Sequence, residues 1–392
     1  MTCELLMLNY EFPPIGGGAA NAHLALLKEY AGIENLKIDV LTSAPQPGFF
    51  RENFSDSITI YKVGLHKKHL HYWRKIEVVE WLIKAKSPYR RLLNENNYDL
   101  IHAFFGFPTG WLCYRTAKKL PYIISLRGSD VPGYNVRLGP DYKIMAGLFR
   151  RIWSSASAVV ANSKGLKELA AEFMPNLEIG IIHNGIDTEK YHPRQTEKLS
   201  EPIQMLTVCR LISRKRIDML IKVVACARAA DMNVQLNIAG DGNLMGQLQK
   251  LAEELNVADR INFMGRIPAE QLPDVYHDND IFVMSSAHEG MSNAMLEAMA
   301  SGLPIITTRC EGVEELITDN GIVVEEAKDE SIAKAIKKLT DERETYMQMS
   351  IAARKRAQQF SWKSTAEQYL NCYRQILKNK TAGLSEAVTC VE

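Results

Sequence analysis

The stretch DIFVMSSAHEGMSNAMLEAMASGLP, from Asp280 to Pro304, predicts a strand, a loop and a helix in that order. Its first part, Ile281 to Met284, is a short apolar run, which is typical of a strand buried on both faces of a parallel sheet. Small and polar residues follow from Ser285 to Ser292, and Gly290 lets the backbone turn. Ala294 to Ala300 then consists of good helix formers. The stretch therefore predicts one strand–loop–helix unit of a parallel α/β sheet.

The residues that flank the helix define its ends. Ser292 or Asn293 is the candidate N-cap. Gly302 stops the helix, and the apolar run from Ile305 to Thr308 predicts the next strand. The N–H groups of a helix's first turn and the positive end of its dipole attract anions. An anion site is therefore predicted at the carboxyl end of the first strand.

Two carboxylates flank this predicted anion site. Glu289 lies in the loop before the helix, and Glu297 lies about one turn inside it. Because a carboxylate is repelled by a phosphate, both side chains are expected to face neutral hydroxyl groups, and sugar hydroxyls are the obvious candidates. The alternative is a surface acid in the loop and a solvated acid on the helix. The strand, the glycines and the helix stop around the pair favour the hydroxyl-binding interpretation.

The spacing of the two acids, with seven residues between them in HEGMSNAMLEAMASGLP, resembles the E-x7-E motif of the retaining family 4 glycosyltransferases. Members of that family have two Rossmann-like, doubly wound α/β domains that face each other across a cleft, the GT-B fold. They transfer a sugar from a nucleotide diphosphate and keep its anomeric configuration. The resemblance implies that Glu289 holds the hydroxyls of the donor sugar and Glu297 the ribose. It also implies that the residues at the helix start bind sugar and diphosphate, namely Gly290, Met291, Ser292 and Asn293.

Length and composition favour a soluble protein of two domains. The chain has 392 residues, which is long for a single hydrophobic core. Its formal net charge is +1, which argues against a dedicated nucleic-acid-binding protein. Seven cysteines are scattered without metal-binding spacing. Since the sequence shows neither a signal peptide nor a membrane-spanning run, we expect a cytoplasmic protein.

A glycine-rich loop, Tyr10 to Gly18, lies between a predicted first strand, Leu5 to Asn9, and a predicted helix, Ala19 to Tyr30. The loop lacks the G-x-G-x-x-G pattern and the acid that would bind a dinucleotide ribose, so a dehydrogenase is not favoured. An ordinary β–α turn is the alternative. The sequence FPPIGGG is similar to the family's N-terminal glycine loop, and this similarity implies that Gly17 and Gly18 approach the donor diphosphate and the acceptor.

A basic, aromatic segment occupies residues 62–92 and carries Ile76, Val79 and Ile83 at helical spacing. One interpretation is a domain helix with a solvated basic face. The other is a surface that docks on anionic lipid or on an anionic glycan acceptor. The candidate contacts for docking are Lys67, Lys68, Tyr72, Trp73, Arg74 and Trp81.

Arg127 follows another predicted strand, Tyr122 to Leu126, in the sequence RGSDVP. Related transferases usually have His-Gly here, with the His reaching the donor sugar or the acceptor, so Arg127 departs from the family pattern. The planar fork of an Arg suits carboxylate or phosphate, which makes contact with an anionic group on the sugar or the acceptor one hypothesis. A salt bridge to Asp130 that holds the loop is the alternative.

The alternation of strands and helices restarts after a polar linker, Tyr191 to Pro202, and this restart predicts a second domain of similar type. Phe360-Ser-Trp362 is similar to a family segment that begins a helix packed back onto the first domain. We therefore predict an N-terminal Rossmann-like acceptor domain at residues 1–190, joined by a returning helix at 363–378. A C-terminal domain that binds the nucleotide-sugar donor is predicted at 191–362, and a polar tail at 379–392.

The first strand of the second domain ends in RLISRKRID, Arg210 to Asp218. This segment is similar to the family's R-x4-K-G segment, whose Arg and Lys neutralise the diphosphate, and so it implies that role for Arg210 and Lys215. Arg216 stands where the family usually has the glycine. A basic surface loop is the alternative.

A further strand runs from Ile261 into a loop after Gly265. In the family, the backbone after this glycine meets the nucleobase. The resemblance therefore implies base contacts by Arg266 and Ile267.

The resemblance to family 4, which spans nearly the whole chain, implies a retaining, hexosyltransferase-type enzyme with Glu289, Arg210 and Lys215 as its catalytic residues. It would move a sugar from a nucleoside-diphosphate sugar, with a UDP-sugar favoured, to a glycan or lipid-linked acceptor in polysaccharide or glycoconjugate biosynthesis. No D-x-D pair lies in a suitable loop, so neither a metal nor a cofactor is expected. Peripheral attachment to the inner face of a membrane is expected if residues 62–92 dock there. The alternatives are a sugar-nucleotide epimerase or hydrolase of the same fold and a non-catalytic sugar-nucleotide-binding subunit.

Overall fold

The computed structural model describes residues 3–70, 72–135, 138–194, 199–382 and 388. The chain divides into an N-terminal domain, residues 1–185 together with 362–392, and a C-terminal domain, residues 186–361. The sequence analysis predicted that the N-terminal domain ends at residue 190 and the C-terminal domain at residue 362. Parts of the predicted basic segment, linker and tail lie outside the described residues, namely residue 71, residues 195–198, and residues 383–387 and 389–392.

The N-terminal domain contains an eight-stranded sheet. Most of its strands are short apolar runs buried on both faces, because helices cover both sides of the sheet. The strands are β1 (Cys3–Leu8), β2 (Leu36–Ala44), β3 (Phe49–Ser55), β4 (Ile58–Gly64), β5 (Leu100–Phe104), β6 (Tyr122–Ser125), β7 (Ala158–Ala161) and β8 (Gly180–Ile181). Their order is β3-β4-β2-β1-β5-β6-β7-β8. Only the edge pair β3–β4 is antiparallel among the strand pairs of the described residues.

Six helices of the described residues belong to the N-terminal domain. They are α1 (Gly18–Tyr30), α2 (Lys75–Glu95), α3 (Thr109–Tyr114), α4 (Gly139–Ser154), α5 (Lys164–Phe173) and, from the end of the chain, α13 (Trp362–Thr381). The last helix buries Tyr369, Tyr373 and Ile376 in the core that β1, β5 and β6 also form. The N-terminal domain is therefore completed by residues that follow the C-terminal domain in sequence.

The C-terminal domain contains a six-stranded, wholly parallel sheet. Its strands are β9 (Ile203–Val208), β10 (Val234–Ala239), β11 (Ile261–Gly265), β12 (Ile281–Met284), β13 (Ile305–Thr308) and β14 (Gly321–Val324). The order β11-β10-β9-β12-β13-β14 is the doubly wound order of a Rossmann fold. The winding direction reverses between β9 and β12, and ligands of such sheets bind outside the carboxyl ends of strands at this switch point.

The helices of the C-terminal domain are α6 (Ile217–Ala229), α7 (Met245–Glu254), α8 (Leu272–His277), α9 (Asn293–Ala300), α10 (Val313–Leu316), α11 (Asp329–Asp341) and α12 (Arg343–Ala357). A 3-10 turn, Ser213–Lys215, precedes α6. In the described residues of both domains, each helix is too short or too polar to cross a membrane.

The edge strand β3 was missed by the sequence analysis. Its sequence, FFRENFS, is polar in the middle, and its first residues, Phe49 and Phe50, are exposed. An edge strand that faces solvent lacks the apolar run that identified the buried strands.

Candidate active site

The loop that contains Glu289 follows β12 at the switch point of the C-terminal sheet and enters α9. Ser292 is the N-cap, since its hydroxyl oxygen accepts the N–H of Met295 at 3.3 Å. This settles the choice between Ser292 and Asn293. The loop therefore delivers Glu289 beside the N-terminal end of α9, where the helix dipole is positive.

A second loop, which connects β9 with α6, is hydrogen-bonded to the Glu289 loop. The Ser285 hydroxyl lies 3.0 Å from the carbonyl oxygen of Lys215 and 2.8 Å from that of Arg216. The N–H of Ala287 donates to the carbonyl oxygen of Arg214 at 2.8 Å. These contacts place the predicted cation, Lys215, against the predicted carboxylate, Glu289, and the two side chains form an ion pair.

The charge of Glu289 is set by competing effects. Burial raises the pKa of the carboxyl group, but the charges of Lys215, Arg214 and Arg210 outweigh it and hold the pKa below its usual value. Glu289 is therefore ionised at neutral pH and accepts hydrogen bonds. Lys215 makes the direct contact, while Arg214 and Arg210 act on Glu289 through their charge.

Arg216 shows why a glycine is usual at its position. Its backbone has φ 50° and ψ 40°, the left-handed conformation, and it forms the N-cap of α6. Glycine adopts this conformation without the steric cost that an L side chain bears. The Arg216 guanidinium is paired with Asp218, with Nε 3.2 Å from Oδ1, instead of with Glu289.

The sequence analysis missed a residue on the other side of Glu289. Glu311, in the loop after β13, accepts the N–H of Glu289 at 3.1 Å and the Nδ1–H of His288 at 2.9 Å. The adjacent Gly312 has φ 78°, and a Cβ there would lie 2.3 Å from the carbonyl oxygen of Gly290. The Glu289 loop is therefore held between two neighbouring β–α loops. An acid in the loop three residues after the end of β13 was the available signal, because all such loops share one edge of a parallel sheet.

Glu297 has a different environment from Glu289. The hydroxyl of Tyr276 donates to its Oε2 at 2.8 Å, and the side chain of Tyr191 is a second hydrogen-bond partner. Burial raises the pKa of Glu297 to about 7, although the hydrogen bond from Tyr276 and the charge of Lys190 oppose this shift. Protonated and ionised forms of Glu297 are therefore both populated near neutral pH. Neither tyrosine was singled out by the sequence analysis.

The remaining residues predicted to bind the sugar donor lie along the same sheet edge. Gly290 and Met291 are buried in the loop, and Asn293 begins α9. Arg266 and Ile267 follow β11, two strands from β9; Arg266 is exposed and Ile267 packs on the apolar cluster around α9. Their proposed contacts with sugar, diphosphate and base remain predictions.

The glycine loop of the N-terminal domain connects β1 with α1. Gly17 is the N-cap of α1, with φ −144°, and Gly18 is the first helical residue. The preceding Gly16 has the positive φ of 101°, and a Cβ there would come within 2.8 Å of Glu11. The backbone thus requires glycine most clearly at Gly16, while the predicted ligand contacts of Gly17 and Gly18 remain predictions.

Arg127 lies after β6, and its guanidinium stacks on Phe104 with 4.5 Å between Cζ and the ring centroid. Its Nη1 donates to Oδ1 of Asn184 at 2.9 Å. Asp130 accepts the backbone N–H groups of Arg127 and Gly106, at 2.9 and 2.6 Å, and so holds the loop through the main chain. The guanidinium is therefore held in one orientation within the N-terminal domain.

A buried hydrogen-bond network connects Arg127 with α13. Arg127 Nη2 donates to the Tyr369 hydroxyl at 3.3 Å, and that hydroxyl lies 2.8 Å from the Ser125 hydroxyl. His102 joins Ser125 to Tyr373 through contacts of 2.6 and 2.7 Å. Burial, together with the charge of Arg127, holds the pKa of His102 well below its ordinary value, so the ring is neutral. The final helix of the chain thus helps to orient Arg127.

The basic segment is arranged differently from the predicted docking surface. Lys67 and Glu77 form an ion pair with side chains that are each 1% exposed. Trp81 is fully buried, and Trp73 packs on the same core. The prediction that Lys67 and Trp81 face a membrane is therefore wrong, because both are part of the domain interior.

Two family models together match most of the chain. Residues 16–190 match the model described as Glycosyltransferase Family 4, and residues 188–356 match the one described as Glycosyl transferases group 1. The chain is 30% identical over 288 residues to the GDP-mannose-dependent alpha-(1-6)-phosphatidylinositol monomannoside mannosyltransferase of Mycolicibacterium smegmatis. That match covers 68% of this chain and 74% of the relative.

Solved structures share the fold over nearly the full length. Sucrose-phosphate synthase from Thermosynechococcus elongatus has a TM-score of 0.83 at 20% identity, covering 96% of this chain and 99% of its own. The HepE protein of Anabaena, solved with UDP and glucose, has a TM-score of 0.72 at 18% identity, covering 94% and 98%. Both α/β domains and their doubly wound sheets agree with the predicted fold class. The chain is a glycosyltransferase with the GT-B fold, and it belongs to family 4.

Proposed function

We propose that the protein transfers a sugar from a nucleoside-diphosphate sugar with retention of the anomeric configuration. The observation that carries this proposal is the Lys215–Glu289 ion pair at the switch point of the C-terminal sheet, with Arg210 and Arg214 close enough to act on it. The cations and the N-terminal end of α9 suit a diphosphate, whereas the ionised Glu289 suits sugar hydroxyls. One site thus offers both kinds of contact that the sugar donor needs.

Each group has a proposed task. Arg210 and Lys215 neutralise the diphosphate; the Lys215 ammonium has three N–H donors, so its contact with Glu289 leaves others for a phosphate oxygen. Glu289 holds the sugar, and Glu297 holds the ribose. The residues proposed for the sugar, the diphosphate and the base are Gly17, Gly18, Gly290, Met291, Ser292, Asn293, Arg266 and Ile267.

The proposed reaction needs positive charge more than it needs an acid. A nucleoside diphosphate leaves as a stable anion, so the protein must stabilise negative charge as it develops on the leaving oxygen. We propose that the acceptor attacks from the face that the diphosphate leaves and that the departing phosphate takes the acceptor's proton. This geometry retains the anomeric configuration without an enzymic base. Because fixed cations supply the charge, we propose that no metal and no cofactor are required.

The proposed acceptor is a glycan or a lipid-linked sugar, in polysaccharide or glycoconjugate biosynthesis. The mycobacterial relative is named for a phosphatidylinositol mannoside acceptor, which supports the lipid-linked alternative. An enzyme that modifies such an acceptor works at the membrane surface, so we propose a cytoplasmic protein attached peripherally to the inner face. In the N-terminal domain, the oriented Arg127 is proposed to contact an anionic group of the sugar or acceptor.

A panel of nucleotide sugars tests the function. We favour a UDP-sugar, which the complex of HepE with UDP and glucose supports, while the name of the mycobacterial relative supports GDP-mannose as the competing donor. Either the UDP-sugars or the GDP-sugars, but not both, should raise the melting temperature of the protein. The reason is that a ligand that binds only the folded state raises apparent stability. The donor so identified should be turned over in the presence of EDTA, and NMR of the product should show a retained anomer. An inverted anomer, or turnover abolished by EDTA, would contradict the proposed mechanism.

A further inference from the structure

We propose that one face of the N-terminal domain, formed by α2 and α4, docks directly on an anionic lipid bilayer. This inference rests on the proposed lipid-linked acceptor. It keeps the exposed side of α2 from the predicted segment, residues 62–92, but excludes Lys67 and Trp81, since both are buried. We call the new surface the α2–α4 face and define it by the exposed residues Ile76, Val79, Ile83, Arg90, Lys143, Ile144 and Arg151.

The exposed side of α2 is apolar. Ile76, Val79 and Ile83 are 69%, 50% and 61% exposed, and their spacing places them along one side of the helix. The opposite side buries Trp81 and Tyr89 in the domain core. The core therefore does not need this second apolar stripe, and a contiguous apolar stripe on a surface helix marks a site of interaction.

Helix α4 extends the stripe. Ile144 is 85% exposed, the most exposed large apolar side chain of the described residues. Lys75, beside Ile76, is ion-paired with Asp141, with 2.7 Å between Lys75 Nζ and Asp141 Oδ2. Asp141 and Ile144 are three residues apart and so lie on neighbouring positions of α4. The ion pair thus brings the starts of the two helices together, and we infer that their exposed isoleucines share one face.

Cations surround these apolar residues. Arg90 on α2 and Lys143 and Arg151 on α4 are exposed. The acids of both helices are matched by nearby cations: Glu80 by Lys84, Glu95 by Arg91, and Asp141 by Lys75. The face therefore carries a positive excess around an apolar centre, which is the composition of surfaces that lie in the headgroup region of anionic bilayers.

The same charge pattern argues against a second copy of the chain as the occupant. In a two-fold dimer through this face, the basic rims of both copies would oppose each other and repel. A bilayer with anionic headgroups instead offers an apolar layer and negative charge together. Each Lys or Arg held near such a surface strengthens binding about fivefold.

Cosedimentation with vesicles tests the docking. At low salt, the full chain should bind phosphatidylcholine vesicles that contain phosphatidylglycerol, and bind pure phosphatidylcholine vesicles at least about tenfold more weakly. Ile76→Ser with Ile83→Ser should weaken binding, and so should Arg90→Glu with Arg151→Glu, by at least about tenfold each. The matched controls are Ile351→Ser and Lys355→Glu on α12, which change an exposed isoleucine and an exposed lysine of the C-terminal domain and should bind like wild type.

The inference is overturned if the wild type does not bind phosphatidylglycerol vesicles at low salt, or if the α2–α4 variants bind them as well as the α12 controls do. It is also overturned if the wild type is a dimer and the double variant Ile76→Ser, Ile83→Ser is a monomer. Thermal shift with UDP and GDP distinguishes a failure of the membrane-docking inference from a failure of the proposed function. Nucleotide binding without vesicle binding removes only the docking, whereas vesicle binding without nucleotide binding removes the proposed transferase chemistry.

A second observation points to a residue that positions the catalytic loop. We infer that Glu311 sets the position of Glu289, because the carboxylate of Glu311 accepts both the N–H of Glu289 and the Nδ1–H of His288. The close approach of Gly312 to Gly290 keeps the two loops in contact. Glu311 therefore fixes the main chain of Glu289 from the side opposite to Lys215. This inference also rests on the proposed function.

Turnover of UDP-glucose or GDP-mannose, whichever the wild type uses, tests this role. A displacement of about one ångström at a reacting group costs about a hundredfold, so Glu311→Ala should lower kcat by about ten- to a hundredfold with KM little changed. Glu311→Gln keeps an oxygen acceptor for the Glu289 N–H and should recover most of kcat. Glu314→Ala, at an exposed acid of the neighbouring helix α10, is the matched control. An unchanged kcat in Glu311→Ala, or equal losses of kcat in Glu311→Ala and Glu311→Gln, would refute positioning through this hydrogen bond. Wild-type turnover verifies the proposed function independently.

Discussion

The ammonium group of Lys215 and the carboxylate of Glu289 are ion-paired across two β–α loops that meet at the switch point of the C-terminal sheet. The two residues are far apart in sequence. Both side chains are largely buried, with Lys215 11% exposed and Glu289 15% exposed. Each charge offsets the cost of burying the other. The ion pair therefore holds together the cation proposed to bind the diphosphate and the carboxylate proposed to bind the sugar.

We predict that this cationic cluster stabilises the transition state. Arg210→Ala or Lys215→Ala should raise the activation free energy by about 2–4 kcal/mol, as the loss of a preorganised oxyanion donor does. Steady-state kinetics with the identified donor measures the change. Lys222→Ala, at an exposed position of α6, is the control and should leave turnover unchanged. Near-normal turnover in both Arg210→Ala and Lys215→Ala would remove the assignment.

The two acids of the E-x7-E motif should lose different functions when they are replaced. Glu289→Gln should lower turnover more than nucleotide affinity, because the proposed partner of Glu289 is the sugar. Glu297→Gln should weaken binding of the bare nucleoside diphosphate, because its proposed partner is the ribose. Calorimetry with UDP or GDP measures the affinity of both variants. Equal losses of nucleotide affinity would contradict the proposed division of labour.

Stability should depend on pH through Glu297. Its folded-state pKa of about 7 lies above the ordinary 4.5, so the folded state binds the proton more tightly than the unfolded state. The resulting stabilisation is complete below pH 4.5 and is lost as the pH rises through about 7, with a slope of at most ~1.4 kcal/mol per pH unit. Thermal melting across this window should show a falling midpoint that Glu297→Gln flattens. The same slope in wild type and Glu297→Gln would assign the effect to other groups.

Replacing Arg216 by glycine should stabilise the C-terminal domain. The left-handed backbone at φ 50° costs an L residue about 1–2 kcal/mol, part of which is offset by the greater freedom of glycine in the unfolded chain. The exposed pair with Asp218 contributes little. We expect a net gain of about 0.5–1 kcal/mol in the free energy of unfolding. Lys222→Gly, in the helical backbone of α6, is the contrasting variant and should lose about 1 kcal/mol.

The strands and helices that carry the site could be predicted because their sequence patterns are local. Ile281–Met284 and Ile305–Thr308 are observed with the predicted limits. In a parallel sheet all β–α loops lie at one edge, so the pattern also predicts that the loops of Lys215 and Glu289 share that edge. Sequence reasoning could not show that the two side chains form an ion pair.

Other features depend on contacts that no local pattern contains. Glu297 is hydrogen-bonded by Tyr276 and Tyr191. Tyr276 lies on α8 and Tyr191 lies near the start of the domain, so their positions beside α9 depend on how these parts pack. The apolar spacing of Ile76, Val79 and Ile83 is the same for a helix face turned to the core and for one turned outward. Only the burial of Trp81 and Tyr89 on the other side decides between them.

The return of α13 to the N-terminal domain determines the order in which the chain can mature during synthesis. Tyr369, Tyr373 and Ile376 belong to the first domain's core, but the ribosome makes them after the entire second domain. The C-terminal domain can fold as soon as residue 361 has emerged, while the N-terminal domain still lacks its last helix. The part of the protein that is translated first is therefore the part that is finished last, and Arg127 acquires its contact with Tyr369 only at that final step.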